Sequence, residues 1–271
     1  MQIGFLGTGA ANGVPAFYCG CVACKEAEAA AAARRTRCAL VVRGSETTLI
    51  DAGPDLRQQL LREGIDRVDN LLLTHTHFDH AGGLPELEFY VRLRRKAPIP
   101  AIMSRESAEW VTSTLGYMAD CLELRVVEAG ETVVLDGVRY SALAVTHSPG
   151  AFGFLIENEA GCRVAYLPDT GPLPGETALR VAAVDVLIVG ATFFGANWMP
   201  EDHLSVDEAV ALGGQVGARE TYVTHVSMHY DTPVGVADLE RHIAGLGGPN
   251  VHLAYDGLWL EPSASSSGSR A

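Results

Sequence analysis

The sequence predicts an α/β fold of four layers, an αββα sandwich in which two mixed sheets lie face to face with helices outside. Apolar strand-like runs alternate with helical patterns from end to end, and the two halves show a similar order of elements. Such elements bury one face each, which favours layered packing. No linker interrupts the middle, so we expect one domain over residues 1–262 and a disordered polar tail over 263–271.

The individual elements are predicted from apolar periodicity, turn residues and capping residues. Strands are expected at 2–7, 38–42, 47–51, 70–74, 99–103, 133–145 (two strands around a turn), 152–157, 163–167, 184–189, 221–224, 251–254 and 258–260. Helices are expected at 54–63, at 85–95, after the capping residue Ser104, at 205–212 and at 237–244.

Composition narrows the class of function. The chain has 271 residues, of which 48% are hydrophobic and 20% charged, as in ordinary globular proteins. A net charge of −13 argues against a non-specific nucleic-acid binder, although it permits a small anionic substrate. We expect no membrane span and no export signal, hence a cytoplasmic, reducing location. A homodimer is left open.

Four potential metal ligands lie within six residues of a predicted strand end. His75 and His77 are two apart on extended chain, so their side chains point the same way. Asp79 and His80 follow one turn later, beside two glycines that let the backbone bend. The spacing therefore predicts two adjacent metal loci rather than a solvated polar loop.

Three further candidate ligands follow other predicted strands. His147, Asp169 and His225 each stand at a strand-to-loop junction, where active sites of layered α/β folds commonly lie. Singly each could be an ordinary polar residue, but their shared position makes all three candidates for the same metal site.

A second cluster consists of cysteines. Cys19, Cys21 and Cys24 lie within six residues, and three soft thiolates this close suit a structural zinc that needs one more ligand. The other three cysteines are scattered and are expected to be small buried apolar residues.

The run THTHFDHAGGL at 74–84 resembles the signature of the metallo-β-lactamase superfamily, and the three later ligands match its later motifs in order. The resemblance implies the αββα fold with a dinuclear site at the edge between the sheets. It implies that one metal is held by His75, His77 and His147, that the other is held by Asp79, His80 and His225, and that Asp169 bridges both.

A narrower resemblance is to the phosphoribosyl cyclic phosphate phosphodiesterases of the carbon–phosphorus lyase pathway. It rests on GTGAANGVP at 7–15, the cysteine cluster, residues 36–40, LIDAG at 49–53, LPDT at 167–170, DHL at 202–204 and YDG at 255–257. That family closes its zinc site with a histidine at the position of Met228 here, and His229 is the obvious substitute. The family also makes His203 the general acid for the leaving oxygen.

The resemblance implies a phosphodiesterase that hydrolyses a small cyclic phosphodiester, such as phosphoribosyl 1,2-cyclic phosphate, with Asp79 and His203 as catalytic residues. The implied cofactors are two Mn²⁺ or Zn²⁺ ions, with a metal-bridging hydroxide as nucleophile, and one structural Zn²⁺. Three alternatives stay open: an enzyme similar to the tRNA 3′-processing endonuclease, a pyrroloquinoline-quinone biosynthesis protein, and a non-catalytic metal-binding protein. The acidic net charge disfavours the first alternative. So does the short sequence between His147 and Asp169, which leaves no room for a tRNA-binding arm.

Overall fold

The structure, a computed structural model, describes residues 1–230 and 232–264. The strands are β1 (Gln2–Gly7), β2 (Ala39–Arg43), β3 (Thr47–Ile50), β4 (Asn70–Leu72), β5 (Ile99–Met103), β6 (Leu122–Val126), β7 (Thr132–Leu135), β8 (Val138–Ala144), β9 (Phe152–Glu157), β10 (Arg163–Leu167), β11 (Val186–Gly190), β12 (Glu220–Thr224), β13 (Val251–Leu253) and β14 (Trp259–Leu260). The helices are α1 (Val22–Ala29), α2 (Leu56–Arg62), α3 (Phe78–Ala81), α4 (Glu86–Phe89), α5 (Arg105–Thr114), α6 (Gly175–Arg180), α7 (Val206–Val216) and α8 (Val236–Gly247).

The strands of this part of the chain form two seven-stranded sheets. The first has the order β14-β1-β2-β3-β4-β5-β6 and the second the order β13-β12-β11-β10-β9-β8-β7. Both are mixed, because β3 to β6 and β10 to β13 pair in parallel whereas the remaining neighbours are antiparallel. The carboxyl ends of the parallel strands within each sheet therefore meet at one edge.

The period-2 alternation of the strands builds the middle of the sandwich. Ile3, Phe5 and Leu40 of the first sheet belong to the same buried cluster as Phe154 and Ile188 of the second. Successive side chains of a strand point to opposite faces, so the intervening residues are free to pack outward.

Those outward residues pack against the helices. Leu71 of β4 shares a buried cluster with Leu56 of α2. Leu187 of β11 shares another with Ala209 of α7 and Leu239 of α8. One cluster between the sheets and one outside each sheet make an αββα sandwich, so the predicted fold class is confirmed.

Element boundaries differ from the predictions where tertiary contacts intervene. The strand expected at 70–74 ends at Leu72, since the amide of Thr74 donates to Asp51 Oδ1 (2.8 Å) instead of to a neighbouring strand. The helix expected at 85–95 is a short α4 that continues as a π-helix over Tyr90–Arg95. Sequence reasoning missed β6, an edge strand whose side chains are mostly exposed and so lack an apolar run.

Within the described residues, no helix is long and apolar enough to cross a membrane. Residues 265–271 of the predicted tail lie outside the described part of the chain. The domain boundary at residue 262 stays a prediction.

Candidate metal centre

The predicted active-site ligands converge from both sheets. His75 and His77 follow β4 of the first sheet, and Asp79 and His80 lie on the single turn of α3. The other three come from the second sheet: His147 follows β8, Asp169 follows β10, and His225 comes directly after β12.

Glycines allow the loops that carry these residues to approach one another. A Cβ atom on Gly53 would overlap the carbonyl oxygen of Asp79, and one on Gly190 would overlap that of Pro168, next to Asp169. Any larger residue at either position would push a ligand-bearing loop away.

Three imidazoles form the first part of the site. Nδ1 of His77 lies 3.1 Å from Nε2 of His147, and the rings of His75 and His77 are 4.6 Å apart between centroids. One nitrogen from each ring lies within 4.8 Å of the other two, a spacing that a metal ion can bridge. His77 is exposed, so this part of the site opens to solvent.

Two carboxylates and two imidazoles form the second part, and all four residues are buried. Oδ2 of Asp169 lies 2.7 Å from Nε2 of His80 and 3.3 Å from Nε2 of His225. Oδ2 of Asp79 lies 3.2 Å from the same His225 atom. Asp169 also approaches the first part, with 3.7 Å between its Oδ2 and Nε2 of His75. It therefore lies between the two parts, and the bridging role that the resemblance implies stays a prediction.

The outer ring nitrogens are fixed by the protein. Nδ1 of His80 lies 2.8 Å from Oδ2 of Asp51, and Nδ1 of His147 lies 3.0 Å from the carbonyl oxygen of Asp202. Nδ1 of His225 lies 3.0 Å from the Thr192 hydroxyl. An Nδ1–H that donates outward leaves the Nε2 lone pair facing inward, which is the usual arrangement of metal-bound histidine.

Asp51 contacts the candidate centre, although sequence reasoning gave it no role. Its backbone has a φ of 67°, and its carboxylate accepts from the amide and hydroxyl of Thr74 as well as contacting His80. It thus ties the end of β3 to both halves of the histidine motif. The available signal was a lone acidic residue at the end of a buried strand, followed by Ala52 and Gly53.

The donor atoms fit a metal because their close polar neighbours all belong to the same centre. Nε2 of His75 is buried without a hydrogen bond. Nε2 of His80 and Oδ1 of Asp169 are also buried, and they face only Asp79, Asp169 and His203. Within residues 1–230 and 232–264, no lysine or arginine forms an ion pair with Asp79 or Asp169. Buried polar atoms are costly to leave unpaired, and buried carboxylates need positive charge nearby.

The pKa shifts of the buried ligands agree with a site for a metal ion. Burial alone would raise the pKa of Asp169, but the surrounding imidazoles hold it well below its usual range. Burial alone would lower the pKa of His80, but the carboxylates of Asp79 and Asp51 raise it well above. Carboxylates and imidazoles thus share one buried space, and a divalent cation there would balance the carboxylate charge.

His203 lies against the same centre. Its Nδ1 is 3.1 Å from Oδ1 of Asp169 and 3.1 Å from the Thr192 hydroxyl, and its side chain is 14% exposed. Burial alone would lower the pKa of His203, whereas the Asp169 carboxylate raises it above the usual value. The residue stands at the mouth of the site, before α7, whose capping box is formed by Ser205 and Glu208.

The cysteine cluster also includes a residue of the segment that follows β12, His229. Cys19, Cys21, Cys24 and His229 each offer an atom within 4.8 Å of the others. Nδ1 of His229 lies 3.2 Å from Sγ of Cys24, and its Nε2 lies 2.6 Å from the Gly13 carbonyl oxygen. That outward contact again leaves a lone pair directed at the thiols.

Met228 points elsewhere. Nε of the buried Arg35 donates to its sulfur at 3.2 Å. Its backbone has a φ of 60°, which turns the chain so that the next residue reaches the thiols. The structure therefore brings His229, not Met228, to the cysteines. Cys38, Cys121 and Cys162 are buried and lie outside this group.

Comparisons with known proteins agree with the fold and the site. A family model described as the β-lactamase superfamily domain matches residues 46–226. A crystal structure of a new diphosphatase from the PhnP family superposes with a TM-score of 0.83 at 26% identity, covering 96% of each chain.

Curated relatives extend over most of the chain. An octanoyltransferase of Porphyromonas gingivalis is 27% identical over 269 residues, which are 95% of this chain and 51% of that protein. The chain thus spans about half the length of that relative. A ribonuclease Z of Bradyrhizobium diazoefficiens is 25% identical over 287 residues, 83% of this chain and 93% of that protein. The resemblance stated from the sequence is confirmed: the chain belongs to the β-lactamase superfamily, has the metallo-β-lactamase fold, and is similar to a PhnP-family protein and to ribonuclease Z.

Proposed function

We propose that the chain is a metal-dependent phosphodiesterase that hydrolyses a small phosphodiester, such as a cyclic ribose phosphate. The proposal rests on the convergence of two groups of side chains. One group consists of three imidazoles, and the other consists of two carboxylates and two imidazoles. His75, His77 and His147 would hold one ion, and Asp79, His80 and His225 the other, with Asp169 between them. Two divalent ions there would supply an activated water nucleophile and would stabilise the charge that develops on phosphate.

The chain's own residues set the geometry. Asp51, Thr192 and the Asp202 carbonyl orient the imidazoles from outside, so little reorganisation is needed when the ions bind. The carboxylate of Asp169 lies between the two groups of imidazoles and so fixes their separation. The exposed face beside His77 is where an anionic phosphate would enter.

His203 is proposed as the general acid. When water adds to phosphorus and a P–O bond breaks, the leaving oxygen needs a proton. His203 contacts Asp169 with Nδ1, which keeps the imidazole oriented at the metal centre with its other nitrogen available to a substrate. A positioned acid of this kind contributes about 10²–10⁴-fold to rate.

Phosphorus–oxygen cleavage is favoured over other hydrolyses by the relatives. The PhnP-family protein is named a diphosphatase, and ribonuclease Z cleaves a nucleic acid. A small substrate is favoured over RNA because the chain carries a net charge of −13 and because only short turns and strands connect His147 to Asp169.

Cys19, Cys21, Cys24 and His229 are proposed to bind a structural zinc. A Cys₃His set leaves no open coordination position, so this ion would support the fold and take no part in the reaction. His229 lies four residues after the proposed active-site ligand His225. A zinc ion bound to His229 would therefore also stabilise the loop after β12.

Metal analysis separates the enzyme from a non-catalytic metal-binding protein. We expect about three ions per chain by elemental analysis, of which a chelator removes two with loss of activity. One tightly held ion in a protein without phosphodiesterase activity would contradict the proposal.

A hydrolysis panel then defines the reaction. It comprises bis-p-nitrophenyl phosphate, cyclic ribose phosphates, nucleoside cyclic phosphates, pre-tRNA, a lactone and a β-lactam. We expect turnover of small phosphodiesters only, and preferential cleavage of pre-tRNA would favour the endonuclease alternative instead.

Exchange of His203 for Ala tests its role. We expect kcat to fall about 10²–10⁴-fold with an unchanged metal content. His242→Ala is the matched control, because that imidazole pairs with Asp207 away from the centre. Loss of metal from H203A would show that His203 is a ligand, since its nitrogen also lies within 4.8 Å of donors from His147 and Asp169.

A further inference from the structure

An aromatic cluster lies next to the proposed general acid. The ring of Phe193 is 6.1 Å from that of His203 between centroids, and it packs against Trp198 at 5.1 Å and Tyr230 at 5.4 Å. Trp198 and Tyr230 also contact each other at 4.6 Å. Phe193 is only 2% exposed, whereas Trp198 is 52% exposed. The cluster therefore has a buried base and an open outer ring.

The loop that carries Trp198 is held in place relative to His203. The side-chain amide of Asn197 donates to the His203 carbonyl oxygen (2.9 Å) and to Oε2 of Glu208 (3.0 Å). Its amide oxygen accepts from the backbone of Met199 at 3.0 Å. Trp198 thus lies between Asn197 and Met199, which this last hydrogen bond joins. Its backbone is therefore held in place while its side chain stays exposed.

An open indole ring on a packed aromatic base suits a planar ligand. A flat ring stacks on such a surface, and base stacking on an aromatic side chain contributes about 5- to 150-fold in affinity. The charges nearby disfavour a second phosphate there, because Glu201 is exposed and Asp202 is half-buried in the same loop.

We propose that Trp198 and Tyr230 form a subsite for a planar ring, such as a nucleobase, carried by the leaving side of the phosphodiester. The inference rests on the proposed function, because a proton delivered by His203 places the leaving oxygen on its side of the metal centre. The atoms beyond that oxygen then extend towards Trp198, which packs on Phe193 beside His203. A nucleoside cyclic phosphate uses this surface, whereas phosphoribosyl 1,2-cyclic phosphate has no ring to stack and adds a phosphate beside Glu201.

A pair of substrates that differ only in the base tests the subsite. Adenosine 2′,3′-cyclic phosphate and methyl β-ribofuranoside 2,3-cyclic phosphate share the reacting group. With the manganese-loaded protein we expect kcat/KM to be about tenfold higher for the adenosine compound. Trp198→Ala should abolish that ratio and Trp198→Phe should retain part of it. Tyr117→Ala, at an aromatic residue of Gly116–Cys121 that is 58% exposed, is the control and should leave the ratio unchanged.

Binding of the product gives a readout that needs no turnover. Calorimetric titration compares adenosine 2′-phosphate and adenosine 3′-phosphate, the two possible products, with the corresponding methyl riboside phosphates on wild type and on W198A. Equal affinities in wild type, or a preference that survives W198A, overturn the subsite even if hydrolysis proceeds. A Trp198-dependent preference without hydrolysis of either compound supports the subsite and instead contradicts the proposed phosphodiesterase activity.

Discussion

The two ligand clusters of this chain are built in opposite ways. The His/Asp cluster draws its donors from the ends of strands in both sheets, and its outer nitrogens are held by Asp51, Thr192 and a backbone carbonyl. In the cysteine cluster, three of the four donors are close in sequence, in one loop and at the start of α1. Only the fourth, His229, comes from a distant part of the sequence. The His/Asp cluster has more donors than one ion needs and is exposed at His77. The cysteine cluster has four donors, the number that one tetrahedral ion needs.

The difference supports a structural role for the cysteine cluster and a catalytic role for the His/Asp cluster. A closed Cys₃His set satisfies a tetrahedral zinc completely, whereas a catalytic site keeps positions open for water and substrate. The two clusters meet through residues 225–229, of which His225 and Met228 have φ values of 54° and 60°. The comparison therefore predicts that each cluster can lose its ions separately, with different consequences for activity and stability.

The largest expected effect comes from Asp169→Asn. Replacing the residue between the two groups of imidazoles would weaken both proposed ion sites, because it removes a negative charge that would stabilise their ions. We expect activity to fall by about 10³-fold or more, because metal ions supply several kcal/mol of transition-state stabilisation. Elemental analysis and phosphodiesterase assays measure the two losses.

The cysteine cluster is the internal control for that variant. D169N should retain about one zinc per chain, held by the thiols. Loss of this zinc together with the active-site ions would mean that the clusters are not independent, and retention of all three ions would remove Asp169 from the ligand set.

The next effect is on stability and comes from Cys24→Ser. Cys24 is fully buried, with its sulfur 3.2 Å from Nδ1 of His229, so the change would remove one proposed zinc ligand. An ion that binds only the folded chain stabilises it, and a loss of a few kcal/mol lowers Tm by about 10 °C in a protein of this size. Calorimetry and zinc content report the outcome.

Cys162→Ser is the matched control for C24S, because Cys162 is equally buried and belongs to neither cluster. It should lower Tm only slightly and keep every ion. If both variants lose the same stability and C24S keeps its zinc, the cysteines are merely buried thiols.

A smaller effect is expected from Asp51→Asn. The amide cannot provide the charged acceptor that His80 uses, so the imidazole becomes a weaker ligand. Outer partners of metal ligands typically change affinity about 10–100-fold. Activity should therefore fall at limiting manganese and recover at saturating manganese, as a metal titration of the initial rate would show. Failure to recover at any concentration would indicate a role in folding or chemistry instead.

Asp51 also shows what the sequence could and could not predict. Residues such as His75, His77 and Asp169 were identified because donor-type side chains follow apolar runs, and strand ends meet at one edge of a sheet. Asp51, Thr192 and the aromatic ring of Trp198 act through contacts with residues distant in sequence. A single polar or aromatic residue in a loop carries no periodicity, so only the folded chain assigns it a partner.

The same reasoning explains the outcome at His229. The family resemblance puts the fourth zinc ligand at the position of Met228, and His229 was the predicted substitute, but residue spacing alone assumes a regular backbone. The positive φ of Met228 and its contact with Arg35 turn the chain by one residue. Which of two neighbouring residues faces a site is decided by backbone conformation, which the spacing does not specify.

The smallest expected effect comes from Thr192→Val. The hydroxyl lies 3.0 Å from Nδ1 of His225 and 3.1 Å from Nδ1 of His203, so it orients one proposed ligand and the proposed acid together. Valine keeps the shape and removes the hydrogen bond, which is worth about 0.5–1.5 kcal/mol, or about two- to tenfold in kcat/KM. Thr192→Ser is the control and should restore most activity, because it keeps the oxygen. If the valine variant loses ions from the His/Asp cluster, Thr192 acts through His225; if it keeps them and only kcat falls, it acts through His203.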